Sequence, residues 1–303
     1  MATLIQNSRW LETLLVTRLF EPVWCLSGNH ARPIPSDSLR HKAAGDEFQT
    51  RVSRYTYAMN ALAFVLSVFL FIPLVAQADH ECVVLLHGLA RTANSMDELE
   101  EALSTSGYRV VNVGYPSRQE TIDRLAAMAV EEGIAGCDRQ PVETVHFVTH
   151  SLGGILVRYY LADKSIARLG RVVMLAPPNQ GSEVADEWRD VPGYEWLNGP
   201  AGQQLGTGEG SVPRTLGPVD FPLGVIAGTR SINPILSQSL PNPDDGKVSV
   251  ENTRVEGMTD FIEMPYTHTF MMAAEPVIRQ VQHFLRSGTF FHKSASSHKP
   301  ASP

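Results

Sequence analysis

From residue 82 onward, short continuous apolar runs alternate with segments of helical periodicity, and this alternation most constrains how the chain can fold. Residues 82–86, 108–113, 144–150, 171–175, 222–227 and 258–264 read as strands, the first of them apolar throughout, as in strands covered on both faces. Between them, Ser95 and Glu98 have the spacing of a capping box that opens a helix with Met96, Leu99 and Leu103 turned inward. Ile122, Leu125 and Ala129 mark a second helix ending near Gly133, and residues 276–285 a last one. Strands alternating with helices at this spacing predict an α/β fold with a doubly wound, mostly parallel sheet. In such sheets ligands sit beyond the carboxyl ends of the strands, where His87, Ser151 and Pro177 all fall.

The third run is the one that carries chemistry. It ends at Ser151, and Leu152, Ile155, Leu156, Tyr159 and Tyr160 then follow at helical spacing on one face. A Ser at the apex of a strand–turn–helix projects its hydroxyl from the sheet, and small residues two positions to either side let the two backbones pass closely. Gly153 fills the trailing position, while Thr149 stands where a Gly is usual. A Ser hydroxyl is a weak nucleophile until a His removes its proton and a carboxylate orients that His. In this architecture the order along the chain is Ser, acid, His. The turn after the fifth run holds Asp244 and Asp245, with Asp245, beside Gly246, preferred and Asp244 the alternative acid that caps the turn. After the sixth run comes His268, the only His between His150 and His283. An oxyanion needs N–H donors, which Leu152 and Leu89 are placed to supply, with Gly88 giving close backbone approach and His87 bracing the loop.

The segments around His87-Gly88-Leu89, Thr149-His150-Ser151-Leu152-Gly153, Asp245-Gly246-Lys247-Val248 and His268 resemble those of the α/β-hydrolase superfamily, most nearly its bacterial lipase and esterase branch. Pro178-Asn179-Gln180-Gly181-Ser182 is similar to the stretch that follows the fourth strand there. The resemblance implies a minimal α/β-hydrolase fold over residues 79–287 and a Ser–His–Asp carboxylic ester hydrolase that needs no cofactor. Acyl transfer, thioester cleavage or amide cleavage would use the same triad, and a catalytically silent binding protein could share the scaffold. The departures are Thr149, the lack of strands before residue 82, and a short cap. In that sheet Cys82 and Cys137 precede neighbouring strands, so in an oxidising compartment they either pair as a disulfide or remain two buried thiols.

Residues 178–220 break the alternation with Gly, Pro and interspersed Trp188, Tyr194 and Trp196, and are expected to form a structureless lid or binding loop. Residues 1–54 read as a poorly ordered extension or as no part of the mature protein, and residues 288–303 as a disordered tail. Residues 55–78 lack charge, follow Arg51 and Arg54, and end in Ala76-Gln77-Ala78. They are expected to be either a cleaved secretory signal, with Met59 as a possible start, or an uncleaved membrane anchor, with a buried core helix as the plain alternative. Either of the first two places the catalytic domain outside the cytoplasm. A net charge of −7 argues against a nucleic-acid partner, leaving a small-molecule or lipid ester as the expected one. The 3 Cys have no metal-type spacing, so no metal is expected.

Overall fold

The computed structural model describes residues 80–232, 237–238 and 240–292. The expected extension and the signal or anchor at 55–78 lie outside the described residues. Among those described, no helix is long and apolar enough to cross a membrane.

The six apolar runs form one sheet of parallel strands: β1 (Glu81–Leu86), β2 (Arg109–Val113), β3 (Thr144–His150), β4 (Leu169–Leu175), β5 (Leu223–Gly228) and β6 (Asp260–Met264), in the order β2-β1-β3-β4-β5-β6. The chain steps outward from β1 to β2, then returns to the far side of β1 and adds the remaining strands in the other direction. The crevice at that reversal opens between the ends of β1 and β3, where a doubly wound sheet places its ligand.

Alternate residues of β1 serve opposite faces. Val84 and Leu86 pack in the core shared with α2 (Ile122–Cys137) and α3 (Leu152–Asp163), while Val83 and Leu85 pack with α1 (Asp97–Thr105) and α8 (Glu275–Ser287). All four side chains are fully buried, and each such burial stabilises the fold by about 1.5–3 kcal/mol. Gly133 does not end its helix, as its position in the sequence led us to expect. There α2 packs directly against β1, since a Cβ at Gly133 would sit 2.4 Å from Val84 Cγ1. The helix therefore runs on to Cys137, which is bonded to Cys82 with a Cα–Cα distance of 5.9 Å. Cys82 lies within β1 and Cys137 on the last turn of α2, so the bridge ties helix to strand rather than joining two strand entrances.

Other expectations are also corrected. Ser95 is not an N-cap: residues Ala93–Met96 are already wound as a 3-10 turn, and the Ser95 hydroxyl donates back to Thr92 O at 2.8 Å. Met96, Leu99 and Leu103 are nevertheless the buried face. The 178–220 stretch is not structureless, for it contains α4 (Glu183–Trp188), α5 (Tyr194–Gln203) and α6 (Val212–Thr215). Within it, Gly199, at φ 65°, and Pro200 kink α5 where its backbone meets that of Arg118. The insert is strapped down at both ends. Buried Arg158 donates to Asn179 O, Asn179 Oδ1 and Gly217 O, and Gln204 Oε1 accepts from the Ile122 N–H that opens α2. At the carboxyl end, beyond the short α7 (Val250–Thr253), α8 stops at Gly288 (φ 79°), and residues 288–292 pack back rather than forming part of a disordered tail. Phe290 is buried 4.9 Å from the Phe284 ring, with its N–H donating to Asp260 Oδ2.

Candidate active site

Ser151 joins β3 to α3 with φ 52° and ψ −119°, a left-handed conformation that costs a non-glycine residue about 1–3 kcal/mol. The surrounding structure holds it there. The Ser151 N–H donates to Leu175 O at 2.9 Å, and the turn closes through Gly154 N–H to Ser151 O at 3.0 Å. Gly153 is required by contact, since a Cβ would lie 2.6 Å from Leu86 O. Thr149 is accommodated fully buried in β3, opposite Leu86 and Met174.

His268 follows β6 and Asp245 follows β5, and the two loops are stitched together by a backbone bond from His268 N–H to Asp245 O at 3.0 Å. His268 Nδ1 lies 2.8 Å from Asp245 Oδ2. A carboxylate only accepts, so Nδ1 carries the proton and Nε2 is left as a base. Asp245 Oδ1 accepts from the Lys247 and Val248 N–H groups at 3.0 and 2.9 Å, which fixes the carboxylate. Asp244 does different work: its Oδ1 accepts from Gly246 N–H at 2.7 Å and its Oδ2 from the Ser237 hydroxyl at 2.5 Å, closing the turn. Of the two adjacent acids, geometry joins Asp245 alone to the imidazole.

Ser151 and His268 line one cavity of about 320 Å³, with no direct hydrogen bond between them. Ala185, Trp188, Tyr194, Leu197 and Leu205 of the insert form its apolar wall. Behind the pair, His150 Nε2–H donates to His268 O at 2.9 Å, supporting the His268 loop from below. Burial, reinforced by neighbouring His268 and Arg91, holds His150 well below the usual imidazole range, so it is neutral.

Solved structures share this arrangement of strands and helices. The chain superposes on the mature form of the Bacillus licheniformis lipase BlEst2 with a TM-score of 0.54 and 19% identity, over 69% of this chain and 93% of that one. The same lipase in its propeptide form gives 0.52 and 20% identity, over 73% of this chain and 53% of the other. A metagenomic carboxyl esterase, MGS0156, gives 0.50 and 21% identity over 64% and 65%. The fold is that of the α/β-hydrolases. No family model and no curated protein matches the sequence.

Within this α/β-hydrolase fold, the loop after β1 approaches Ser151 from the neighbouring strand end. Gly88 fits because a Cβ would sit 2.7 Å from His150 Nδ1 and 3.2 Å from Ser151 Cβ. His87 is held between partners on both ring nitrogens: Nδ1–H donates to Gly88 O at 2.9 Å and Nε2 accepts from Tyr115 N–H at 3.4 Å. Its ring stacks on that of Tyr115 at 4.0 Å, and the Tyr115 hydroxyl donates to His87 O. Burial lowers the His87 pKa, in keeping with a neutral brace. The N–H groups of Leu89 and Leu152 take no partner among the described residues. Sequence reasoning passed over Tyr115 and Ser117, whose hydroxyl accepts from Ala90 N–H at 3.1 Å. Only their position just past β2 hinted at a role. It also passed over Arg91 and gave Lys247 no role of its own, although both line the cavity.

Proposed function

We propose that this α/β-hydrolase chain cleaves carboxylic esters through an acyl-enzyme on Ser151. One observation carries the reading: a strained Ser at the strand–helix turn shares a cavity with a His whose far nitrogen is fixed by a buried, doubly amide-bonded Asp. His268 Nε2 takes the Ser151 proton as Oγ bonds to the carbonyl carbon, and the developing oxyanion is met by the N–H groups of Leu89 and Leu152. Collapse breaks the bond to the alcohol, which leaves with the proton from His268. Water then adds to the acyl carbon, giving its proton to His268, and the acid departs as Ser151 recovers its hydrogen. Asp245 stabilises the transient imidazolium, while His150, Gly88 and His87 hold the loops in register.

The apolar wall of the cavity fits an acyl chain, so small-molecule and lipid esters are the substrate class. Two of the structural neighbours, by name a lipase and a carboxyl esterase, support the same reading. The Cys82–Cys137 bridge supports a site of action outside the cytoplasm, as expected from the uncharged 55–78 segment. The test is turnover of an aryl ester series of increasing chain length. Ser151→Ala and His268→Ala should each lower kcat by about four to six orders of magnitude. Parent-level turnover in folded Ser151→Ala protein refutes the proposal.

A further inference from the structure

The cavity carries charge that ester cleavage by itself does not call for. The chain has 32 acidic and 25 basic residues, yet the groups lining this cavity include Arg91 and Lys247 and not one Asp or Glu. The two cations arrive from separate loops, Arg91 from the β1–α1 connection and Lys247 from the Asp245 turn. Among the described residues neither is in an ion pair. Arg91 Nη2 donates to Thr269 O at 3.0 Å, and Asp245, the nearest acid in sequence to Lys247, is already bonded to His268 and two amides. Burial against the surrounding protein holds the Lys247 ammonium below the usual range, Arg91 pushes it the same way, and the Asp245 carboxylate pulls it back up. Two like charges line one cavity, offset only by an Asp245 carboxylate that His268 and two amides already engage, and an anion would relieve their repulsion.

Geometry also says which part of an ester would meet them. His268 must reach both the Ser151 oxygen and the leaving oxygen, so the alcohol portion extends on the His268 side. Arg91 is bonded to the residue after His268, and Lys247 sits two residues beyond the acid that orients it. The apolar wall of the insert, by contrast, comes from α4, α5 and Leu205 just beyond it. Resting on the ester-hydrolase reading, we propose that the substrate is an ester of an apolar acyl chain whose alcohol portion carries an anionic group, phosphate or carboxylate, seated between Arg91 and Lys247.

The experiment compares kcat/KM for matched pairs with one acyl chain. One arm sets a monoacylglycerol against the corresponding acylglycerol phosphate, and the other a phenyl ester against its ring-carboxylate analogue. The anionic member should be preferred by about ten- to a hundredfold at low ionic strength, with the preference shrinking in 0.5 M salt. Preference in one arm alone identifies the anion. Lys247→Gln should cut that ratio roughly five- to tenfold, chiefly through KM, and Arg91→Lys, which keeps the charge but loses the fork, by less. Equal or better use of the neutral members in both arms overturns the inference and leaves ester hydrolysis standing. So does a Lys247→Gln loss that falls on neutral and anionic esters alike. Failure to turn over any member removes the hydrolase reading and this inference with it.

Discussion

Changing Asp245 and its neighbour separately, each to Asn, turns the geometry of the acid into a measurable asymmetry. In Asp245→Asn the side-chain oxygen can still accept from the Lys247 and Val248 N–H groups, so the turn keeps its two bonds of 3.0 and 2.9 Å. The amide nitrogen then faces His268 Nδ1 across the 2.8 Å contact. As it can only donate, the imidazole must move its proton to Nε2, the atom that has to accept from Ser151. Loss of the base tautomer is worth about 10⁴ in kcat, or about 5 kcal/mol of transition-state stabilisation. In Asp244→Asn, by contrast, the oxygen still accepts from Gly246 N–H at 2.7 Å, and the new amide can donate to the Ser237 hydroxyl. Its cost should fall on the turn, at about 1 kcal/mol or less of stability, with kcat within about threefold of the parent. The assay is steady-state hydrolysis of a short aryl ester, with urea unfolding run alongside so that activity is compared between equally folded proteins. A stable Asp244→Asn protein that loses activity while Asp245→Asn keeps it would refute the assignment of the acid.

Two further outcomes concern stability. Burial lowers the pKa of His87, His146 and His150 from their ordinary 6.5, so each is held neutral in the fold while the unfolded chain protonates it. Their contribution is complete above about pH 6.5 and is lost as pH falls below that toward the folded values, by up to about 1.4 kcal/mol per pH unit for each group. Urea midpoints should therefore fall between pH 7.5 and 5.5, and a flat or rising profile contradicts this. The Cys82–Cys137 bridge closes a loop with a sequence separation of 55, for which chain entropy gives about 4 kcal/mol. The Cys82→Ala, Cys137→Ala protein should lose stability on that order, and an unchanged midpoint would show that the bridge constrains little.

The frame of this molecule was legible because parallel strands covered on both faces leave unbroken apolar runs, and all six runs became strands within a few residues of their expected limits. Ser151 was legible for the same reason: the change from strand to helix period brackets it. His268 followed from the order of elements, since no other His lay between His150 and His283. What escaped depends on contacts between distant segments. Nothing in residues 93–98 shows that a 3-10 turn will take Ser95 out of the capping position. A Gly in a helix reads alike whether it ends the helix or, as at Gly133, admits a strand's Val. The helices of the 178–220 insert are interrupted by Gly and Pro and hold together through Arg158 and Gln204, whose partners lie elsewhere in the chain. Arg91 and Lys247 are 156 positions apart by number (247 − 91), and only the folded cavity brings their charges to one site.

The central claim is that Ser151 is made nucleophilic by the His268–Asp245 pair. Reaction with a fluorophosphonate followed by peptide mass mapping tests it most directly. A single phosphonyl adduct on the peptide carrying Ser151, formed by the parent and absent from His268→Ala protein under the same exposure, is the outcome this account predicts. An unlabelled Ser151 in folded, parent-sequence protein, or an adduct on some other serine, would contradict it.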